Sequence, residues 1–108
     1  MILPVTIPDA TDADARSIAA GFAALGHPAR LTILRHLAGR DACCCGDLVS
    51  RIDLAQSTVS QHLKVLVAAG LVRYEPESRR SRYSLDREAL ARLSVAVGDL
   101  TTHCCDRR

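Results

Sequence analysis

QSTVSQHLKVLVAAG, residues 56–70, sorts its side chains by face. Val59, Leu63, Leu66 and Val67 recur at helical spacing and make one apolar stripe. Gln56, Ser57, Thr58, Ser60, Gln61 and His62 crowd the other face near its start, with Lys64 behind them. Ser57 is the expected N-cap and Gly70 the stop. Short hydrogen-bonding side chains at a helix start suit the major groove. Gln pairs with adenine edges, Ser and Thr reach bases or phosphate, and the helix N-terminus favours phosphate. An ordinary solvated face would use the same residue types, so the flanks must decide.

Upstream, a short helix over Gly46 to Arg51 buries Leu48 and Ile52, and DLA (53–55) is a brief turn. Two helices joined so tightly have the spacing of a helix-turn-helix. Downstream, LVRYE (71–75) and SRYSL (81–85) read as two short strands around PESRR (76–80), with Pro76 and Ser78 supplying the turn chemistry. A hairpin in that position is a wing. Arg73, Arg79, Arg80 and Arg82 outnumber Glu75 and Glu77 along it. Such a ribbon sits on the phosphate backbone or enters the minor groove.

Further out, Ile18, Ala19, Phe22 and Leu25 share one face of a first helix that starts near Thr11 and ends at Gly26. Pro28 opens a second helix with Leu31, Leu34 and Leu37 inward and Gly39 past its end. After the wing, Asp86 caps a last helix to about His103, with Leu90, Leu93, Val97 and Leu100 on one face. The expected fold is mainly α with a small β-hairpin wing: a winged helix-turn-helix of five helices. Residues 1–10 read as a flexible N-terminal arm, 11–103 as the DNA-binding domain with its dimerisation helices, and 104–108 as a C-terminal tail.

A chain of 108 residues is one domain, and a core this modest gains burial by dimerising. Phe22, Tyr74 and Tyr83 are its only aromatic residues, so the core is aliphatic. Net charge is +2, so contact with nucleic acid must come from local clusters. No run approaches the ~18 apolar residues of a membrane span. The opening MILPVTIPDATDADA has no basic n-region and is broken by Pro4 and Pro8, so it does not read as a signal peptide. The expected location is the cytoplasm, where thiols stay reduced. Five cysteines there favour metal or metalloid ligation, or redox sensing, over a disulfide framework.

FAALGHPARLTILRHLAG (22–39) followed by AQSTVSQHLKVLVAAGLVRYE (55–75) resembles the ArsR/SmtB family of bacterial metal-sensing repressors. The resemblance covers about residues 16–103 and is strongest in STVSQHLKVLVAAGLV (57–72). It implies a winged helix-turn-helix homodimer that binds its operator without inducer and releases it when a metal or metalloid binds. It places Ser57, Thr58, Ser60, Gln61 and His62 on the recognition helix, and the first and last helices at the dimer interface. Physical reasoning agrees on dimerisation, because a short chain has little left to cover the last helix's stripe. Two recognition helices about 34 Å apart would meet successive major grooves, which implies palindromic double-stranded operator DNA.

DACCCGDL (41–48) sets Cys43, Cys44 and Cys45 at the start of the third helix. A helix N-terminus lowers a thiol's pKa, and this helix leads into the recognition helix, so a bond made here would tilt it. Family members carry a motif like ELCVCDL or ELCVGDL at this place. Alignment on GDL puts Cys44 on its first cysteine, and Gly46 where arsenic sensors have the second. Cys43 and Cys45 are additions. Small buried thiols also fill cores, but three in a row cannot all face one core. Adjacent cysteines also bridge poorly.

Thiolates select soft or thiophilic ions, As(III) and Sb(III) among them, and trivalent arsenic is satisfied by three sulfurs. Cys43, Cys44 and Cys45 offer that count. Cys104 and Cys105 are further candidates, reaching the partner subunit's Cys44 across a dimer. His103 beside them would admit Zn(II), Cd(II) or Pb(II), although it reads first as a solvated residue near a helix end. Asp86, Glu88, Asp99 and Thr102 are too poor in histidine for a zinc site on the last helix. His27 and His36 read as packing or surface residues, and His62 as a DNA contact. The expected function is a repressor released from its operator by As(III) or Sb(III) on cysteine thiolates. The alternatives are Cd, Pb or Zn on the same ligands, or oxidants and persulfides acting on cysteine pairs. A Cys–His nucleophile would make the chain an enzyme, but it has no glycine-rich substrate loop and no length for a pocket.

Overall fold

A computed structural model gives the fold. It describes the backbone of residues 9–40, 42–78 and 80–106, and the side chains of 13–40, 42–78 and 80–102. Among the described residues the order is α1 (Asp9–Leu25), α2 (Pro28–Ala38), β1 (Cys43–Cys44), α3 (Cys45–Arg51), α4 (Gln56–Ala68), β2 (Val72–Glu77), β3 (Arg80–Leu85) and α5 (Arg87–Asp106). The five helices and the wing are those the sequence pattern requires. The strand β1 is new.

Local chemistry fixes the joints. His27 is the N-cap of α2, and its Nδ1 accepts the Ala29 N–H at 3.0 Å, with Pro28 following where a missing N–H costs nothing. Arg30 turns back and donates from Nε to the Ala24 carbonyl at 2.6 Å, satisfying the end of α1. At the end of α4, Gly70 takes φ +82°, a value that favours glycine. There the Gly70 N–H meets the Val67 carbonyl and the Leu71 N–H meets the Leu66 carbonyl, the paired bonds of a Schellman motif. The chain so turned drops Leu71 and Val72 into the core. Asp86 caps α5 through Oδ1, which accepts the Ala89 N–H at 3.0 Å.

The core is aliphatic. Ile33, Leu37, Leu48, Val59, Leu63, Leu66 and Leu71 are its fully buried members. Two stripes differ from expectation. On α2 the inward residues are Ile33, Leu34 and Leu37, while Leu31 falls outside the arc they share and is 42% exposed. On α1 the buried positions are Gly21 and Ala24, with Phe22 turned outward. Close approach to α5 explains this. A Cβ at Gly21 would lie 2.9 Å from Leu93 Cδ2, so a residue without a side chain faces that helix, while Ala24 borders Val65 and Ala68 of α4.

The wing is part of a three-stranded antiparallel sheet in the order β1-β3-β2. Cys43 pairs with Tyr83 and Cys44 with Arg82, so the cysteine segment forms one edge of the wing's own sheet. Pro76 lies within β2, opposite Ser81, rather than in the turn. It is tolerated because β2 is the other edge strand. Ser78 takes a turn conformation, at φ 52°. Among the described residues no helix is long and apolar enough to cross a membrane.

Candidate nucleic-acid interface and thiol cleft

α4 presents Gln56, Ser57, Gln61 and Lys64 to solvent, with Thr58 and Ser60 half-buried at its flanks. Its N-cap is Ala55, not Ser57, because the Val59 N–H already bonds the Ala55 carbonyl. No side chain caps the helix, so Ser57 sits in the first turn as an outward hydroxyl beside backbone N–H groups suited to phosphate.

His62 stands apart from this face. It lies at the border of the buried stripe, half-buried, with its ring centroid 4.5 Å from that of His27. Arg30 Nη1 is 3.4 Å from its Nδ1. Burial pushes the His62 pKa down, and His27 and Arg30 add to this. The ring is thus a neutral anchor of α4 on the α1–α2 joint, with Nδ1 aimed at a guanidinium and away from the outward face.

In the wing, Arg82 pairs with Glu77 at 3.3 Å and Arg73 with Asp86 at 3.5 Å. Exposed pairs of this kind are weak, so a phosphate can compete for either guanidinium. Arg80 points into a cleft discussed next. Arg79 lies outside the described residues.

The three cysteines have three fates. Cys43 is 4% exposed and is part of the core. Cys44 is the N-cap of α3 and Cys45 its first residue, both half-buried. Burial pushes the Cys43 thiol up in pKa, and it pushes the Cys45 thiol up as well. The expectation of thiols acidified by the helix start does not hold for these two. Desolvation is the largest cause at both, and the neighbouring Cys44 adds to it.

Cys44, Cys45, Gly46 and Asp47 line one wall of a cleft of about 530 Å³. Gln56 and Ser60 of α4 form a second wall, and Arg80, Ser81 and Tyr83 of β3 the third. The cleft therefore joins the cysteine segment, the start of the reading helix and the wing. A Cβ at Gly46 would lie 3.9 Å from Cys44 Sγ, in ordinary contact, so position 46 adjoins the Cys44 thiol. Among the described residues no three His, Cys, Asp or Glu side chains gather in a way that could hold a metal ion. Residues 43, 44 and 45 do not converge, because Cys43 and Cys44 alternate across β1. The side chains of Cys104 and Cys105 lie outside the described residues.

A polar helix held by a tight turn behind a short partner helix, and followed by a basic hairpin, defines a winged helix-turn-helix DNA-binding protein. A profile described as a helix-turn-helix domain matches residues 25–75. The chain is 34% identical over 85 residues to a Synechocystis protein named transcriptional repressor SmtB homolog, covering 79% of this chain and 64% of that one. It is 37% identical over 67 residues to the arsenical resistance operon repressor of Bacillus subtilis, covering 62% of this chain and 64% of the relative. The chain thus spans slightly less than two thirds of the length of each. Among solved structures, the homodimeric winged helix-turn-helix domain of a possible ArsR-family regulator from Mycobacterium bovis superposes with a TM-score of 0.71. That match has 26% identity and covers 92% of this chain and 91% of the other. The chain belongs to the ArsR/SmtB family of helix-turn-helix transcriptional regulators.

Proposed function

We propose that the chain is a homodimeric, cytoplasmic repressor that binds a palindromic operator and releases it when As(III) or Sb(III) occupies the thiol cleft. Gln56, Ser57, Thr58, Ser60 and Gln61 read the major groove, Lys64 supports them, and Arg79, Arg80 and Arg82 hold the backbone. The observation that carries the release is the cleft itself. Cys44 and Cys45 share one cavity with Gln56 and Ser60 of the reading helix and with Arg80 of the wing. A metalloid that gathers sulfur there competes for space with the DNA-facing groups.

Cys44 and Cys45 supply two sulfurs. The third comes from Cys104 or Cys105, of the same or the partner subunit. Cys43 joins only if β1 peels away from β3, which would expose a core position. The names of the Bacillus and Synechocystis relatives support a repressor of this kind. α1 and α5 form the dimer interface, covering the outward Val95, Val97 and Leu100.

The test is a titration of the reduced protein, bound to an operator duplex, with As(III), Sb(III), Cd(II), Pb(II) and Zn(II). Sulfur-to-metal absorption and DNA release are followed together. As(III) should release the wild type and fail on Cys44→Ser. Full DNA binding under saturating As(III) and Sb(III) would remove the metalloid from the account. Release by Cd(II), Pb(II) or Zn(II) alone would transfer the site to that ion. A disulfide or polysulfide found by mass spectrometry in protein released by oxidant alone would transfer the signal to redox chemistry. Absence of binding to any duplex would remove the repressor.

A further inference from the structure

Among the described residues, Tyr83 alone lines both the thiol cleft and a second cavity of about 370 Å³ formed by Lys64, Val67, Ala68 and Tyr74. The two cavities lie along the same helix. The first touches α4 at Gln56 and Ser60, the second at Lys64, Val67 and Ala68. Tyr83 therefore borders both cavities.

Its strand position adds two attachments. Tyr83 lies on the central strand β3, opposite Cys43 on one side and Tyr74 on the other. Residues directly opposite share a face, so the three make a row across the sheet. The Tyr83 and Tyr74 rings are 5.4 Å apart and tilted by 48°. Tyr74 in turn accepts a hydrogen bond from the Ser81 hydroxyl at 3.2 Å, which ties the row to the wing's return strand. On the cleft side, Cys45 is close enough to act on the Tyr83 phenol, whose pKa is raised by burial first and by Cys45 next.

We infer that Tyr83 is the positioning residue that carries occupancy of the thiol cleft to the reading helix and the wing. A group bound in the thiol cleft, nearest the ring at Cys45, takes up the space on one side of it. The apolar cavity on the other side gives the ring somewhere to go. A ring displaced that way moves under Lys64 and Val67 and repacks against Tyr74, which lines the same cavity, so helix and hairpin shift relative to each other. The transmitting contact is the ring, not the hydroxyl. The inference rests on the thiol cleft being the sensing site, but not on the identity of the inducer.

The test uses the full reduced chain and two probes, As(III) and iodoacetamide, the second adding bulk at the same thiols by S-alkylation. The chain has two tyrosines and no tryptophan, so Tyr74→Phe leaves emission that reports Tyr83 alone. Mass-mapped labelling of Cys44 and Cys45 should change that emission. Labelling should weaken operator binding at least about fivefold in the wild type and in Tyr83→Phe, but less than about twofold in Tyr83→Leu carrying the same label. Unchanged emission on labelling would overturn the inference, and so would a full loss of DNA binding in labelled Tyr83→Leu. The emission arm keeps Tyr83 intact and so stands even if Tyr83→Leu fails to fold. If the label works and As(III) does not, the metalloid reading fails and the role of Tyr83 stands. If As(III) releases Tyr83→Leu as it does the wild type, the role of Tyr83 fails and the metalloid reading stands.

Discussion

α4 and α5 carry similar apolar stripes, yet the chain treats them differently. Val59, Leu63 and Leu66 of α4 are completely buried, each against residues of the same chain. On α5, among the described residues, only the first turns are covered. Ala89 and Leu93 are buried, whereas Val97 is 46% and Leu100 71% exposed. α4 is therefore seated by the chain's own core, whereas Val95, Val97 and Leu100 of α5 stay open to a partner. A reading head must keep its shape whether or not DNA is present. An interface helix can leave its stripe open until a second subunit arrives.

Substitution at equivalent places should separate the two. Leu63→Ala removes a fully buried side chain and should cost about 2–5 kcal/mol of folding stability, measured by urea or thermal unfolding. Leu100→Glu should barely move the intrinsic stability of a subunit, within about 0.5 kcal/mol, because the site is exposed there. Sedimentation should show it as a monomer with much weaker operator binding. A stable Leu63→Ala, or a Leu100→Glu that stays dimeric, would dissolve the contrast.

A smaller effect belongs at the start of α5. Asp86→Ala removes the cap that holds the Ala89 N–H and should cost about 1 kcal/mol. The Asp86 pKa is lowered, first by that backbone hydrogen bond and further by Arg73. Its contribution is therefore full above the ordinary carboxylate value of 3.8 and fades as pH falls through the lowered one. The difference between wild type and Asp86→Ala should be present at neutral pH and vanish only in strong acid.

The contrast between the helices explains what could be read from residue order. α4 was legible because periodicity, a glycine at its end and a turn before it agree on one element. Asp86 was legible as a cap because a carboxylate precedes a polar first turn. β1 was not, since two residues have no period, and Cys43–Cys44 becomes a strand only because β3 lies beside it. The stripe on α1 was misread for a related reason. Gly21 faces α5 because it is small, a property that hydrophobic counting overlooks. The cysteines show the limit most clearly. Three identical residues in a row carry no hint that one is core and two border a cleft, because only the fold decides which way each points.

The seat of α4 yields the last and smallest effect, and it responds to a different pH range from the cap of α5. His62 is half-buried against His27 and faces Arg30, and its pKa is lowered from 6.5 by burial and by those two neighbours. In the unfolded chain the ring accepts a proton near the ordinary value; in the folded chain it resists. Stability is therefore complete above 6.5 and declines as pH falls through that value toward the lowered one. Arg30 also caps α1, so a protonated His62 pushes on the group that joins the two helices. His62→Gln keeps a polar side chain without a titrating ring. Comparing the two chains by thermal unfolding from about pH 7 to about pH 5 should show the wild type losing stability that the variant retains. Leu63→Ala should keep the wild-type slope at a lower level. Parallel curves for wild type and His62→Gln would mean that the ring is not what holds α4 to the joint, and that the aliphatic stripe seats the helix alone.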